Sequence, residues 1–307
     1  RVGSQTIDAV RFGVYTPMKP LASLHAAPGK TGLPTPKRGL DLWLRGTRLP
    51  VILMSLVSVA AVCVSKGGEV EFIQDVTPVT DELTLVIEAT RADIELYRGD
   101  PGSVITQIEA GNAPKVVHRV RPGGIIPTSH LLIETFIPIQ YAPRSRAIVR
   151  MWIPDRTVLE VNGDDVSVEI RGPLANTITV SGDITLTKGD ATLVDVIGDF
   201  AINTGLGGIT LNRVDGGYNA ETGRGSIFFR GAPARSQVSR LETGTGSIFA
   251  DLSRDPDIPI SVKAGRGAIL LHDGGDPISG ANIAVASSGA AASLELVTAN
   301  GIIDIRR

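Results

Sequence analysis

The sequence predicts an all-β fold: a short-repeat β-solenoid with Gly-x-Gly corners, preceded by a β-rich segment, one N-terminal transmembrane helix and an extended basic arm. Three observations lead to this prediction. Glycine turns recur before short hydrophobic runs, as in TGRGSIFF at 222–229 and TGTGSIFA at 243–250. Aromatic residues make up only 4% of the chain, whereas glycine is abundant, which is typical of many short strands and turns. A charge-free run at 49–64 separates a basic N-terminal part from an acidic remainder.

The first segment, residues 1–39, is predicted to be a basic, Pro-rich cytoplasmic arm. Residues 1–48 hold eight Lys or Arg against two Asp, although the whole chain has a net charge of −2. The arm lacks hydrophobic periodicity and cannot bury a core of its own. We expect such an arm to be ordered only against another molecule, which favours a place in a larger assembly.

The second segment, residues 40–66, is predicted to be a transmembrane helix. Its charge-free run LPVILMSLVSVAAVCV would span about 24 Å as a helix, and upstream apolar residues extend it toward the roughly 30 Å of a bilayer core. Trp43, Arg45 and Arg48 are expected at one interface and Lys66 at the other. The positive charge before the run places the N-terminus in the cytoplasm and the C-terminal region in the periplasm, with the helix in the inner membrane.

Two other interpretations of the charge-free run agree less well with the sequence. A buried helix of a soluble protein does not explain the charge asymmetry on its two sides. A cleaved signal peptide would need a basic region of 48 residues before the run, which is far too long. The single cysteine, Cys63, excludes an intrachain disulfide and a cysteine-built metal site.

The third segment, residues 67–157, is predicted to be β-rich and extracytoplasmic. Apolar and polar residues alternate with period two in short runs separated by turns such as RGDPGS and RPGG. The predicted strands are 83–89, 92–97, 103–110, 115–120, 130–137 and 147–153.

The fourth segment, residues 158–307, is predicted to form the solenoid. Each coil would contain a strand, a Gly-x-Gly corner, a second strand and a variable turn, with glycines where the corner is crowded. Isoleucines that recur after the glycines would stack in the core. These isoleucines are Ile184, Ile209, Ile227, Ile248 and Ile269. The corner glycines are Gly205, Gly207, Gly223, Gly225, Gly244, Gly246, Gly265 and Gly267.

The motifs TGRGSI, TGTGSI, SGDITL and VNGDDVSVEI resemble a bacterial family named putative adhesins. The resemblance covers roughly 80–307 and is most specific at 160–271. It implies a Gly-turn β-solenoid that is tethered to the membrane outside the cytoplasm. It implies no catalytic residues, because the family has none established. The basic, Pro-rich arm departs from the family pattern.

Other chemistry is not predicted. A Gly-x-Gly turn binds phosphate when it opens a helix, and here each such turn opens a strand, so no nucleotide site is expected. Acidic turns at 163–165 and 272–277 do not recur at a fixed place in each coil, and the four histidines share no ligand spacing, so no metal is expected. Attraction to anionic lipid explains the basic arm better than nucleic-acid binding does. No cofactor is predicted.

Three functions from different classes remain. The preferred one is a non-enzymatic, single-pass accessory subunit that stabilises a larger membrane complex, photosynthetic or respiratory. Its partners would be the other subunits and the lipid bilayer. The alternative is a cell-surface adhesin or envelope-sensing protein. The third is a carbohydrate-active β-solenoid enzyme, which would need acidic residues in register on one outer face, and the repeats show none.

Overall fold

The computed structural model describes residues 71–110, 116–137, 146–173, 176–272, 278–280, 282–285 and 293–307. This part of the chain is all-β, which confirms the predicted class. Within it, no helix has the length and apolar character of a membrane span. The predicted arm at 1–39 and helix at 40–66, with Trp43, Arg45, Arg48 and Lys66, lie outside the described residues.

Strands form where Val, Ile and Leu alternate with polar residues, because successive side chains of a strand point to opposite faces. All six strands predicted between 83 and 153 are present. Five have small or no shifts at their ends, whereas the first, β1, begins at Glu71, well before the predicted start at 83. In chain order the strands are β1 (Glu71–Thr90), β2 (Ala92–Arg98), β3 (Ser103–Ala110), β4 (Val117–Pro122), β5 (Thr128–Phe136), β6 (Ala147–Ile153), β7 (Thr157–Asp164), β8 (Ser167–Arg171), β9 (Ile178–Lys188), β10 (Ala191–Ile197), β11 (Phe200–Leu206), β12 (Ile209–Gly216), β13 (Tyr218–Arg224), β14 (Ile227–Pro233), β15 (Ser239–Thr245), β16 (Ile248–Asp251), β17 (Ile260–Arg266), β18 (Ile269–His272), β19 (Ile278–Gly280), β20 (Asn282–Val285), β21 (Leu294–Asn300) and β22 (Ile303–Arg306).

The strands form two mainly parallel sheets. The buried apolar side chains of both sheets belong to one core. Sheet I runs in space through β4, β5, β1, β7, β9, β11, β13, β15, β21, β17 and β20. Sheet II runs through the N-terminal half of β1 (residues 71–78) and then β3, β6, β2, β8, β10, β12, β14, β16, β22, β18 and β19. We call one sheet I strand followed by one sheet II strand a coil.

Parallel coils begin earlier in the chain than the predicted boundary at residue 158. The coil β1–β2 already pairs in register with β7–β8 in both sheets. The order of the coils also differs from the order of the sequence at both ends. The coil β1–β2 lies between β5–β6 and β7–β8, and the C-terminal coil β21–β22 lies between β15–β16 and β17–β18.

Antiparallel strands cover both ends of the stack. At one end β4 pairs with β5, and β3 pairs with β6 and, on its other side, with residues 71–78 of β1. At the other end β20 pairs with β17 and β19 with β18. Unpaired parallel edges invite pairing with further chains, so such terminal strands limit end-to-end aggregation.

The repeated Gly-x-Gly corners have a steric origin. At Gly246, φ is 151°, and a Cβ would lie 1.9 Å from the carbonyl oxygen of Gly225 in the neighbouring coil. Gly225 stands in the same relation to Gly207, also at 1.9 Å. Any side chain here would push the coils apart, so the second glycine of each motif keeps the coil spacing.

The threonine that begins the T-G-x-G motifs also has a structural role. Thr222 is buried, and its hydroxyl donates a hydrogen bond of 2.8 Å to the carbonyl oxygen of Gly207. Thr204, Thr243 and Thr298 make the equivalent bond to the glycine of the neighbouring coil. A buried hydroxyl without a partner is costly, so the motif T-G-x-G couples each corner to the next one.

One predicted alignment needs correction. Ile209, Ile227, Ile248 and Ile269 are buried in sheet II, but Ile184 is buried in sheet I, opposite Ile202 and Val161. The glycine of SGDITL is Gly182, which pairs with Phe200 in sheet I, so it leads into a sheet I strand. The chain turns at both ends of a coil, and both turns contain glycine, so the glycine pattern alone does not distinguish them.

Candidate ligand-binding groove

The outer face of sheet II carries the most distinctive cluster of side chains in the described residues. Tyr97 on β2 and Trp152 on β6 are directly opposite each other, with ring centroids 5.7 Å apart and an interplanar angle of 28°. Both side chains point away from the core, since Leu96, Met151 and Ile153 on either side of them are fully buried. The result is a half-exposed aromatic pair on two paired strands.

A groove of about 430 Å³ runs beside this pair. A second depression shares Arg98, Trp152 and Pro173 with it and continues on the other side of the Trp152 ring. The groove is lined by Tyr97, Arg98, Trp152, Arg171, Gly172, Pro173, Val194, Asp195 and Arg213. Apolar rings with a few convergent polar groups are the usual composition of a small-molecule site.

Hydrogen bonds fix the tyrosine side chain. The Tyr97 hydroxyl donates to Glu95 Oε2 at 2.9 Å, and the same oxygen accepts a bond from Arg150 Nε at 2.9 Å. Burial and the bond to the Glu95 carboxylate raise the pKa of Tyr97, because both favour the protonated hydroxyl that donates this bond. Arg150 also donates to Glu109 at 3.0 Å, which ties this support to strand β3.

Two stacked bulges form the far wall of the groove. Asp195 on β10 and Arg213 on β12 have positive φ angles of 57° and 54°, which non-glycine residues rarely adopt. Arg213 donates to both carboxylate oxygens of Asp195, at 2.5 and 2.6 Å. These bonds lower the pKa of Asp195. Each such conformation costs on the order of 1–3 kcal/mol, and bulges of this kind often redirect side chains at functional sites.

Glycines keep the groove open. A Cβ on Gly172 would lie 2.4 Å from the carbonyl oxygen of Asp195, and one on Gly99 would lie 2.9 Å from the backbone carbon of Trp152. The backbone therefore passes directly against the bulge and the tryptophan, where no larger residue fits without a shift.

The lining arginines are all paired with carboxylates. Arg98 contacts Asp155 at 2.5 Å, Arg171 contacts Glu169, and Arg213 contacts Asp195. Each pair offers N–H donors beside carboxylate acceptors without net charge. Such a surface suits a ligand whose groups both donate and accept hydrogen bonds.

The sequence-predicted positions lie away from this groove. The predicted corner glycines are on the edge where sheet I strands lead into sheet II strands, and the predicted core isoleucines are fully buried. Neither set offers polar side chains to a ligand. Among the residues that the structure describes, no group of three or more His, Cys, Asp or Glu is arranged to hold a metal ion.

Sequence reasoning did not identify Tyr97 and Trp152, although the strand pattern contains part of the information. In ADIELY and AIVRMWI the alternation places Leu96 and Met151 inward, and therefore the adjacent aromatic residues outward. The sequence does not show that β2 and β6 are neighbours, because paired residues on these strands are 55 positions apart in the chain.

Comparison with known proteins gives distant structural similarity. No family model and no curated protein matches the chain. A putative cell adhesion protein from Clostridium sporogenes is similar with a TM-score of 0.33 and 12% identity, covering 77% of this chain and 99% of that one. A putative adhesin from Parabacteroides distasonis gives 0.31 and 11%, covering 78% and 99%. One from Bacteroides fragilis gives 0.24 and 13%, covering 77% and 96%.

Proposed function

We propose that this protein is a non-enzymatic cell-surface adhesin that binds its ligand in the groove beside Tyr97 and Trp152. The observation that carries the proposal is the half-exposed aromatic pair, held on the outer face of a sheet by packing and hydrogen bonds. Aromatic residues are the commonest energetic anchors of binding surfaces, and a stiff support reduces the entropy lost on binding.

We further propose that the stacked coils constitute a β-solenoid. The in-register parallel pairing of successive coils and the T-G-x-G contacts between them support this. A solenoid is quasi-one-dimensional, and its outer faces are long, stiff surfaces on which a ligand can be bound. The predicted extracytoplasmic location of the C-terminal region and the membrane anchor at 40–66 are part of the same proposal.

The arrangement of carboxylates favours binding over catalysis. Glu95 and Glu169 lie opposite each other on β2 and β8, beside the aromatic pair. A glycosidase needs one carboxyl group that gives a proton and a second that acts as base or nucleophile. Here Arg150 engages Glu95 and Arg171 engages Glu169, so both carboxylates are already committed to ion pairs.

The accessory-subunit hypothesis gains no support from the described residues, since the arm and helix on which it depends lie outside them. The names of the similar solved structures agree with the adhesin role. If an assembly partner exists, we expect it to bind the arm at 1–39, and the groove would remain the site of adhesion.

Adhesion can be tested with beads that carry the full chain. We expect beads to be retained under flow on at least one of three coated surfaces: mucin, fibrillar collagen or purified bacterial cell wall. Trp152→Ala should reduce retention at least tenfold, as expected for an aromatic anchor. The control Val158→Ala changes an exposed side chain on the outer face of sheet I and should have no effect. Equal retention of wild type and Trp152→Ala, or retention on bare glass, would contradict the proposal.

A further inference from the structure

A second aromatic pair lies on the same face of sheet II. Phe228 on β14 and Phe249 on β16 are directly opposite each other and are 40% and 43% exposed. They line a depression of about 240 Å³ together with Arg230, Asp251 and Arg306. Arg230 and Asp251 form an ion pair at 3.4 Å. This second pair therefore resembles the first, because aromatic rings on the outer face of the sheet lie beside an arginine–carboxylate pair. The rings of the second pair are the more exposed.

The surface between the two aromatic pairs is neutral and polar. From β2 to β14 the sheet passes through β8, β10 and β12, which is four strand-to-strand steps, or about 19 Å. On β10 and β12 the outward residues in register with the two pairs are Thr192, Val194, Thr210 and Asn212. None of these side chains is charged. On β8 the outward residues in the same rows are Glu169 and Arg171, which form an ion pair with each other, so the surface has no net charge.

We propose that an extended, uncharged polysaccharide lies across the strands of sheet II, from the Tyr97–Trp152 pair to the Phe228–Phe249 pair. This inference rests on the proposed adhesin function and names its ligand class. Each aromatic pair would contact the C–H face of a sugar unit, and the strip of Thr and Asn would contact hydroxyl groups between them. A distance of about 19 Å requires several linked sugar units, since one ring cannot reach both pairs.

The polar groups favour a neutral ligand. Sugar hydroxyls both donate and accept hydrogen bonds, and each arginine–carboxylate pair of the two sites offers both partners side by side. An anionic polymer would lie close to the carboxylates of Asp155, Glu169 and Asp195, which already engage the lining arginines. Like charges brought together in this way repel each other, which disfavours an anionic ligand.

An extended peptide is less compatible with this surface. Extended peptides bind mainly by adding a strand to an open sheet edge, where backbone N–H and C=O groups are free. Here β8, β10 and β12 each pair with a strand on both sides, so the strip between the aromatic pairs presents side chains and no free strand edge.

The test is affinity electrophoresis of the full chain in gels that contain one polysaccharide each. The uncharged probes are dextran, laminarin, xylan, mannan and galactomannan, and polygalacturonate is the anionic probe. We expect retardation by at least one uncharged polysaccharide. The monosaccharide of that polymer should bind at least 100-fold more weakly than the polymer, because it cannot reach both aromatic pairs.

Variants locate the two contact regions. Trp152→Ala and Phe228→Ala should each weaken binding at least tenfold, whereas Val158→Ala on sheet I should leave it unchanged. Phe228→Thr repeats the test with a β-branched residue that suits an exposed strand position, in case Phe228→Ala fails to fold. Circular dichroism spectra identical to those of the wild type show that a variant is folded.

Several outcomes would overturn the inference. These are the absence of retardation by every uncharged probe, retardation by polygalacturonate alone, equal affinity for monosaccharide and polymer, or unchanged binding in both Phe228 variants. A different result is that wild-type beads are retained on collagen, Trp152→Ala beads are not, and no polysaccharide binds. That result would refute the ligand class but not the adhesin function. If wild-type beads are retained on none of the three surfaces and no polysaccharide binds, both the ligand class and the adhesin function are refuted.

Discussion

The stability of the β4–β5 end of the stack should depend on the protonation of His118. This histidine is 4% exposed on β4, and its Nδ1 lies 3.1 Å from Thr135 Oγ1 on β5. Burial lowers its pKa from 6.5 to about 4, because the charged imidazolium is poorly solvated there. The folded protein therefore holds the neutral ring, and acid pH favours the unfolded chain.

The magnitude follows from this difference in pKa. The unfolded chain takes up the proton as the pH falls below 6.5, whereas the folded chain resists until the pH approaches about 4. The stability contribution is therefore intact above pH 6.5 and is lost progressively between these values. The total loss is about 3 kcal/mol below pH 4, and about 2.5 kcal/mol at pH 4.5.

Urea unfolding followed by circular dichroism, at pH 7.5 and pH 4.5, measures this loss. Other groups also titrate in this range, so the wild type is compared with His118→Asn, whose amide can still bond to Thr135 but does not titrate. The variant should lose about 2.5 kcal/mol less than the wild type. The control His130→Asn replaces an exposed histidine of the same hairpin and should behave as the wild type. Equal losses in wild type and His118→Asn would refute the reasoning.

Two further predictions concern the corners and the core. Gly246→Ala should lower the free energy of unfolding by about 2–4 kcal/mol, because its Cβ would lie 1.9 Å from the Gly225 carbonyl oxygen and φ is 151°. The adjacent Thr245→Ala, at an exposed position, should change it by less than about 0.5 kcal/mol, and equal urea midpoints would contradict the steric account. In the described part of the chain the buried Tyr218 hydroxyl has no hydrogen-bond partner, so Tyr218→Phe should leave the free energy of unfolding unchanged or raise it by up to about 1 kcal/mol. A measurable loss for Tyr218→Phe in the same titration would show that the hydroxyl is bonded.

Much of the local structure could be predicted because it depends on short-range patterns. Alternation with period two predicts the six strands between 83 and 153, and the motif T-G-x-G predicts the corners. The same motif also contained the threonine that bonds to the next coil, but its role becomes apparent only when Thr222 is seen beside the Gly207 carbonyl group. A donor can be recognised in a sequence, whereas its acceptor is fixed by the stacking of coils.

The misplacement of Ile184 shows where pattern reasoning fails. Ile184 lies in the sequence GDITL, which resembles GSIFF. Its side chain is buried, but an isoleucine on the inner face of either sheet would be buried as well. The two kinds of corner share glycine because both bring a backbone close to the coil beneath, as at Gly216 and Gly246. Only the pairing of Ile184 with Ile202 assigns it to sheet I.

The sequence by itself determined the strands, the corners, and which residues of each strand face the core or the outside. These features follow from interactions between residues that are close together in the chain. The tertiary structure decided which strands are neighbours. It placed Trp152 beside Tyr97, and it inserted the C-terminal coil β21–β22 between two coils that precede it in the sequence. Parallel coils with similar apolar interiors can stack in more than one order, so the order depends on the packing of whole coils. The candidate groove, which draws on β2, β6, β8, β10 and β12, exists only as a result of that order.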